Sequence, residues 1–198
     1  MDRRPYYIGI AYVVIAGTLL MLYQDTQADA AHPQAQRPAG SPGEWFARIR
    51  PFCNSVEVDL AQQQDPAPSG FDGIAYAAAC FALAGKVDRA RLVIDQLPQA
   101  DRYRAAGVVF EVAHPVADAG DNKAAGPIME MVIEYWPNHY MALYHAGMAE
   151  YALGQSDRAR HNLTEFLKYY HEKDGWTLSG EETLRKLGGP ETVERAGS

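Results

Sequence analysis

Two cysteines and six histidines are the residues of this chain best suited to redox chemistry or to binding a transition metal. Their spacing limits what they can do. No C-x-x-C occurs, so a zinc ribbon, a thioredoxin-type redox pair and a covalent c-type haem are all excluded. Two cysteines also cannot build a disulfide-dense scaffold. His139, His145 and His171 are spread over separate stretches, without a carboxylate or cysteine at metal-ligand spacing, so no metal site is expected. No Gly-x-Ser-x-Gly, P-loop or dinucleotide fingerprint is present, and the many carboxylates read as solvated helix faces. The chain is therefore expected to have no catalytic residue and no cofactor. Asn162-Leu163-Thr164 spells a glycosylation sequon, but it falls inside a predicted helix and is discounted.

Composition narrows the class further. The 198 residues carry a net charge of −7, with 47% apolar and 22% charged side chains. That is globular composition, and the acidic balance argues against nucleic acid as a partner.

The elements come next. From Tyr6 to Tyr23 the sequence is apolar and uncharged. As a helix it would span roughly 27 Å, close to a bilayer core. Tyr6, Tyr7 and Tyr23 stand at its ends, and Arg3 and Arg4 precede it. The positive-inside rule then puts the N-terminus in the cytoplasm and the remainder across the membrane. A cleaved signal peptide is the rival reading, with Ala28-Asp29-Ala30 as its cleavage site, but the apolar run exceeds the usual h-region. Residues 1–23 are thus expected to be a short cytoplasmic start and a single-pass anchor. Taking the chain as bacterial, this is the inner membrane with the main domain in the periplasm. Gly9 and Gly17 lie on roughly one face of that helix, where a second membrane helix could approach.

Residues 24–43, rich in Pro, Gln, Ala and Gly, lack large apolar side chains and read as a tether. Ser41-Pro42-Gly43-Glu44 has the form of a capping box with proline in the first turn. The helix it opens carries Trp45, Phe46, Ile49, Phe52, Val56 and Leu60, and Pro51 is expected to kink it. After Gly70 the apolar spacing stays helical to Leu187. A second capping box, Ser179-Gly180-Glu181-Glu182, is expected to start a short terminal helix, and residues 188–198 form a tail with little to bury.

An internal repeat organises the stretch between. Gly85, Gly120 and Gly154 each begin Gly-x-x-x-x-Ala, ending at Ala90, Ala125 and Ala159, and Asp-Arg-Ala-Arg recurs at 88–91 and 157–160. A glycine suits the left-handed turn that ends one helix, and the alanine suits a close helix crossing. Larger apolar residues follow at Ile94 and Leu97, Met129 and Val132, and Leu163 and Phe166. Ahead of each glycine stand a large and then a small residue, Ile74 with Ala78, Val109 with Ala113 and Leu143 with Gly147.

This pattern resembles the tetratricopeptide repeat family, whose period is 34 residues. The resemblance implies an all-α solenoid of helix hairpins within residues 44–187, with repeats near 71–104, 106–139 and 140–173 and capping helices on either side. The chain departs from the pattern at Glu150, where a tyrosine is usual, at Arg102 and His171, which replace closing prolines, and at Pro115, which should interrupt a first helix. The resemblance also implies protein binding on the first helices, with Phe110, His114, Tyr144, Met148 and Tyr151 as groove residues. The first repeat offers only Ala75, Ala79 and Ala82 there. The clamp with which some members grip chaperone C-termini is not expected, because its positions hold Ala75, Ala79, Glu111, Met141 and His145.

Cys53 and Cys80 would face an oxidising compartment under this topology. A disulfide from the capping helix to the first repeat would contribute roughly 3 kcal/mol. Two buried free thiols are the alternative. The resulting expectation is a membrane-anchored, non-enzymatic scaffold. It would serve as an accessory subunit of a larger membrane complex, respiratory or photosynthetic, touching an integral-membrane protein and the lipid bilayer. The alternative is a transient periplasmic assembly or secretion factor with chaperone-like clients.

Overall fold

Local sequence starts the first helix, and its cap is visible atom by atom. In a computed structural model that describes residues 40–188, Ser41 Oγ accepts from the Glu44 N–H at 3.3 Å while the Ser41 N–H donates to Glu44 Oε2 at 2.7 Å. Helix α1 (Pro42–Ile49) follows, with Trp45, Phe46 and Ile49 buried. Its first residues belong to the stretch expected to be tether. Pro51 ends this helix outright instead of kinking it. A 3-10 turn spans Arg50–Phe52, and α2 (Val58–Gln64) starts afresh beyond it. The expected apolar stripe is lost at that break: Val56 and Leu60 are 85% and 57% exposed.

Seven more helices follow among the described residues: α3 (Phe71–Leu83), α4 (Val87–Ile94), α5 (Gln99–Asp118), α6 (Asn122–Tyr135), α7 (Tyr140–Ala152), α8 (Ser156–Tyr169) and α9 (Gly175–Lys186). No strand occurs among the described residues. Helices α3–α4, α5–α6 and α7–α8 form three successive hairpins, so this region is an all-α stack. Helix α5 packs on α3, α7 packs on α6, and α9 packs on α8 and α7. None of the described helices is long and apolar enough to cross a membrane. The segment 6–23 expected to do so, with Gly9 and Gly17, lies outside the described residues.

The glycine marks are turns of one kind. Gly85, Gly120 and Gly154 take φ of +73°, +78° and +76°. After each, the next N–H reaches five residues back, as in Lys86 N–H to Phe81 O at 2.9 Å and Gln155 N–H to Glu150 O at 2.8 Å. This is the Schellman closure, which satisfies carbonyls that a helix end leaves orphaned. The alanines five residues on are buried, as are Ile94, Leu97, Met129, Val132, Leu163 and Phe166. The small–large alternation therefore packs one helix of each hairpin against the other.

The departures from the repeat have physical accounts. Pro115 does not interrupt α5, which runs through it to Asp118. Proline removes one intrahelical bond, and here its ring sits on an exposed face. Arg102 donates to the carbonyls of Asp95 at 2.9 Å and Leu97 at 3.1 Å, and pairs with the Asp95 carboxylate at 2.8 Å. It thereby closes the α4 end that lacks a proline. The terminal helix begins earlier than Ser179: Asp174 is its N-cap, accepting from Trp176 N–H and Thr177 N–H at 2.9 and 3.2 Å. The earlier start brings Trp176 onto α7, where its ring meets Tyr144.

Cys53 and Cys80 are joined by a disulfide that ties the segment after α1 to the middle of the first hairpin. Ala75, Ala79 and Ala82 are fully buried in the main core and do not form a shallow surface. Their small side chains let neighbouring helices approach α3 closely.

Candidate functional site

Helix α5 projects Phe110, His114 and Asp118 four residues apart, so the three share one face. Helix α7 brings His145 to that face, and His139 caps the start of α7 by accepting from the Ala142 N–H at 3.2 Å on Nδ1. Stacking the second and third hairpins assembles these side chains. Phe110 lies against the His114 ring at 4.7 Å and the His139 ring at 4.2 Å. The His114 and His145 rings meet edge to face at 4.8 Å. Trp176 of α9 closes the far side, 5.7 Å from His145 and 5.0 Å from Tyr144.

Asp118 is the hub of the polar groups. Its Oδ1 lies 3.4 Å from His114 Nε2 and 3.6 Å from His145 Nε2. Neither nitrogen is aligned for a hydrogen bond, and both are buried and unpartnered. His145 is held down to about 4, chiefly by burial and next by the neighbouring His114, with Asp118 opposing. It is therefore neutral at physiological pH. Burial likewise lowers His139. Two imidazoles and a carboxylate are the donor types that bind a late first-row metal ion. His114, Asp118 and His145 are the residues that could hold one, their ligand atoms all within 4.8 Å of one another.

Sequence reasoning passes over this set. The readable half of the signal is His-x-x-x-Asp spacing, an i,i+4 pair on one helix, here His114 and Asp118. The other half, His145, reaches it only through hairpin stacking. The expectation that the histidines are scattered does not hold for His114 and His145.

The five residues expected to line a groove fare differently. Phe110 and Tyr144 are buried. Tyr144 packs on Phe166 at 5.1 Å, and its hydroxyl donates to Ser179 Oγ at 3.1 Å. Met148 is half-buried and its sulfur accepts from Thr183 Oγ1 at 3.6 Å. His114 and Tyr151 are half-buried. Helix α9 thus covers part of the face that these residues were expected to present. The clamp positions Ala75, Ala79 and His145 are buried, Met141 is half-buried and Glu111 exposed.

A second polar cluster sits at the α7–α8 turn. Glu150, in the usual tyrosine position, is buried and accepts from Asn162 Nδ2 at 2.8 Å. Arg158 Nε stands 3.2 Å from its other oxygen and also pairs with Glu130 of α6 at 2.8 Å. The sequon asparagine is therefore buried with its amide engaged.

Comparison with known proteins adds one match. Residues 141–170 match the family model described as Tetratricopeptide repeat. No curated protein and no solved structure matches the chain. The matched segment covers α7 and α8, the hairpin with Gly147 at its crossing and Gly154 at its turn, and the described region is an all-α, tetratricopeptide-like solenoid.

Proposed function

We propose that this protein is a membrane-tethered scaffold that binds other proteins and performs no chemistry of its own. The observation that carries this reading is the stack of three helix hairpins whose third member, residues 141–170, matches the tetratricopeptide repeat. Such hairpins commonly serve as interaction modules. The uncharged run from Tyr6 to Tyr23, preceded by Arg3 and Arg4, supports anchoring in a bacterial inner membrane with the solenoid on the periplasmic side. The Cys53–Cys80 disulfide is consistent with that oxidising side. Tethering raises the effective concentration of the solenoid at a neighbouring membrane protein without any new contact.

The partner in this reading is an integral-membrane complex of which the chain is a resident accessory subunit. His114, Met148 and Tyr151 keep partial exposure and are its contact residues on the solenoid, while Gly9 and Gly17 contact it in the bilayer. The test is purification of the tagged full chain from membranes in mild detergent, with crosslinking from residues 6–43. Recovery at fixed stoichiometry with one membrane assembly is expected. Recovery as a lone chain would overturn the resident-subunit reading. Many substoichiometric crosslinks would replace it with a transient assembly factor.

A further inference from the structure

We propose that His114, Asp118 and His145 form a binding site for a late first-row divalent metal ion, zinc first among them, that clamps α5 to α7. The argument starts with distances. A tetrahedral ion with ligands at about 2.0–2.1 Å holds its donor atoms about 3.3 Å apart. Asp118 Oδ1 stands 3.4 Å from one imidazole nitrogen and 3.6 Å from the other. The three ligand atoms all lie within 4.8 Å of one another, so they must draw together when an ion binds.

The second observation is independent of spacing. The His145 side chain is only 5% exposed, and its buried Nε2 lies 3.6 Å from the Asp118 oxygen without a hydrogen-bond partner. His114 Nε2 is unpartnered as well. Leaving a buried polar atom unsatisfied is costly, and two at one point are rarely kept without a ligand. A metal ion satisfies both with one bond each and takes up the Asp118 charge.

The third is pre-organisation. The His114 ring is stacked on Phe110, and the His145 ring is wedged between Tyr144 and Trp176. Rings held by packing lose little freedom on coordination. Two imidazoles select zinc, nickel, cobalt or copper over magnesium and calcium, which prefer oxygen. Three protein ligands leave the fourth position to solvent, on the side where Asp118 is 46% exposed. The ion would brace the second hairpin against the third.

The test uses the full chain, stripped with a chelator and titrated with zinc against a chromophoric competitor. One zinc per chain is expected. Asp118→Asn, a change at a half-exposed position that leaves the fold intact, should weaken binding at least about tenfold, as should His114→Gln. His171→Gln, an exposed histidine outside the cluster, should leave it unchanged. Cobalt(II) should give intense visible d–d bands in the wild-type chain and lose them in Asp118→Asn. Failure of zinc to compete, or equal affinity in wild type and Asp118→Asn, would overturn the proposal. Far-UV circular dichroism of each variant separates lost ligation from lost folding.

Discussion

Glu150 and Asn162 face each other across the α7–α8 turn, the asparagine Nδ2 donating to Glu150 Oε2 at 2.8 Å with both side chains buried. Burial holds the Glu150 carboxyl above its ordinary value near 4.5, against the opposing pull of the Asn162 amide and the Arg158 cation. The folded chain then keeps a proton that the unfolded chain releases. Stability from this group is complete below the unfolded value and is lost as pH rises through the folded one. Glutamine at 150 does not titrate. Wild type should therefore lose stability relative to Glu150→Gln as pH increases from about 4.5 toward neutrality. Paired urea melts across that range test it, and a pH-independent difference would refute the assignment.

Two glycines of the third hairpin are needed for different reasons, and alanine substitution separates them. A Cβ on Gly147 would stand 2.7 Å from Leu163 Cγ and 3.2 Å from the Leu163 backbone N. Alanine gains about 1 kcal/mol of helix propensity there, but overpacking against a fully buried leucine costs about 1–3 kcal/mol. The backbone atom cannot yield, so a net loss of about 1 kcal/mol or more is expected. At Gly154 there is open space, and the penalty is the φ of +76° alone, about 1–2 kcal/mol. Thermal melts should show both losses. In double-mutant cycles with Leu163→Ala, which removes the Cγ that the new Cβ meets, only Gly147→Ala should show coupling.

The Cys53–Cys80 bond closes a loop with a sequence separation of 27. Replacing both cysteines by serine should cost about 3 kcal/mol, mainly by freeing the unfolded chain. Reduction of the wild-type chain should lower the urea midpoint by a similar free energy. A midpoint indifferent to reductant would show that the bond adds nothing.

Arg102 takes the place of a helix-closing proline by capping the α4 end. Arg102→Met keeps much of the side chain's apolar bulk while orphaning the carbonyls of Asp95 and Leu97. A loss of about 1–3 kcal/mol is expected, since hydrogen bonds to a charged donor are of that order. Amide exchange at the α4 C-terminus should rise in step. Unchanged exchange would mean solvent caps those carbonyls equally well.

What the sequence by itself determined is the architecture's punctuation. Gly85, Gly120 and Gly154 could be read as turns because a left-handed backbone at a helix end strongly favours glycine. Ala90, Ala125 and Ala159 could be read as close crossings because only a small side chain fits there. Ser41 announced α1 through local atoms alone. Where a stronger signal lay nearby, the reading slipped: Asp174 caps α9, although Ser179 has the capping-box pattern.

Tertiary structure decided everything that depends on two hairpins meeting. Tyr144 and Phe110 look like surface anchors by type and spacing, yet α9 and the second-repeat core cover them, because an amphipathic pattern does not say which neighbour lies on its face. His114 and Asp118 sit one turn apart in the chain, but His145 joins them only when the third hairpin stacks on the second. Side chains so distant in sequence acquire a common geometry through packing, and no local rule carries that information.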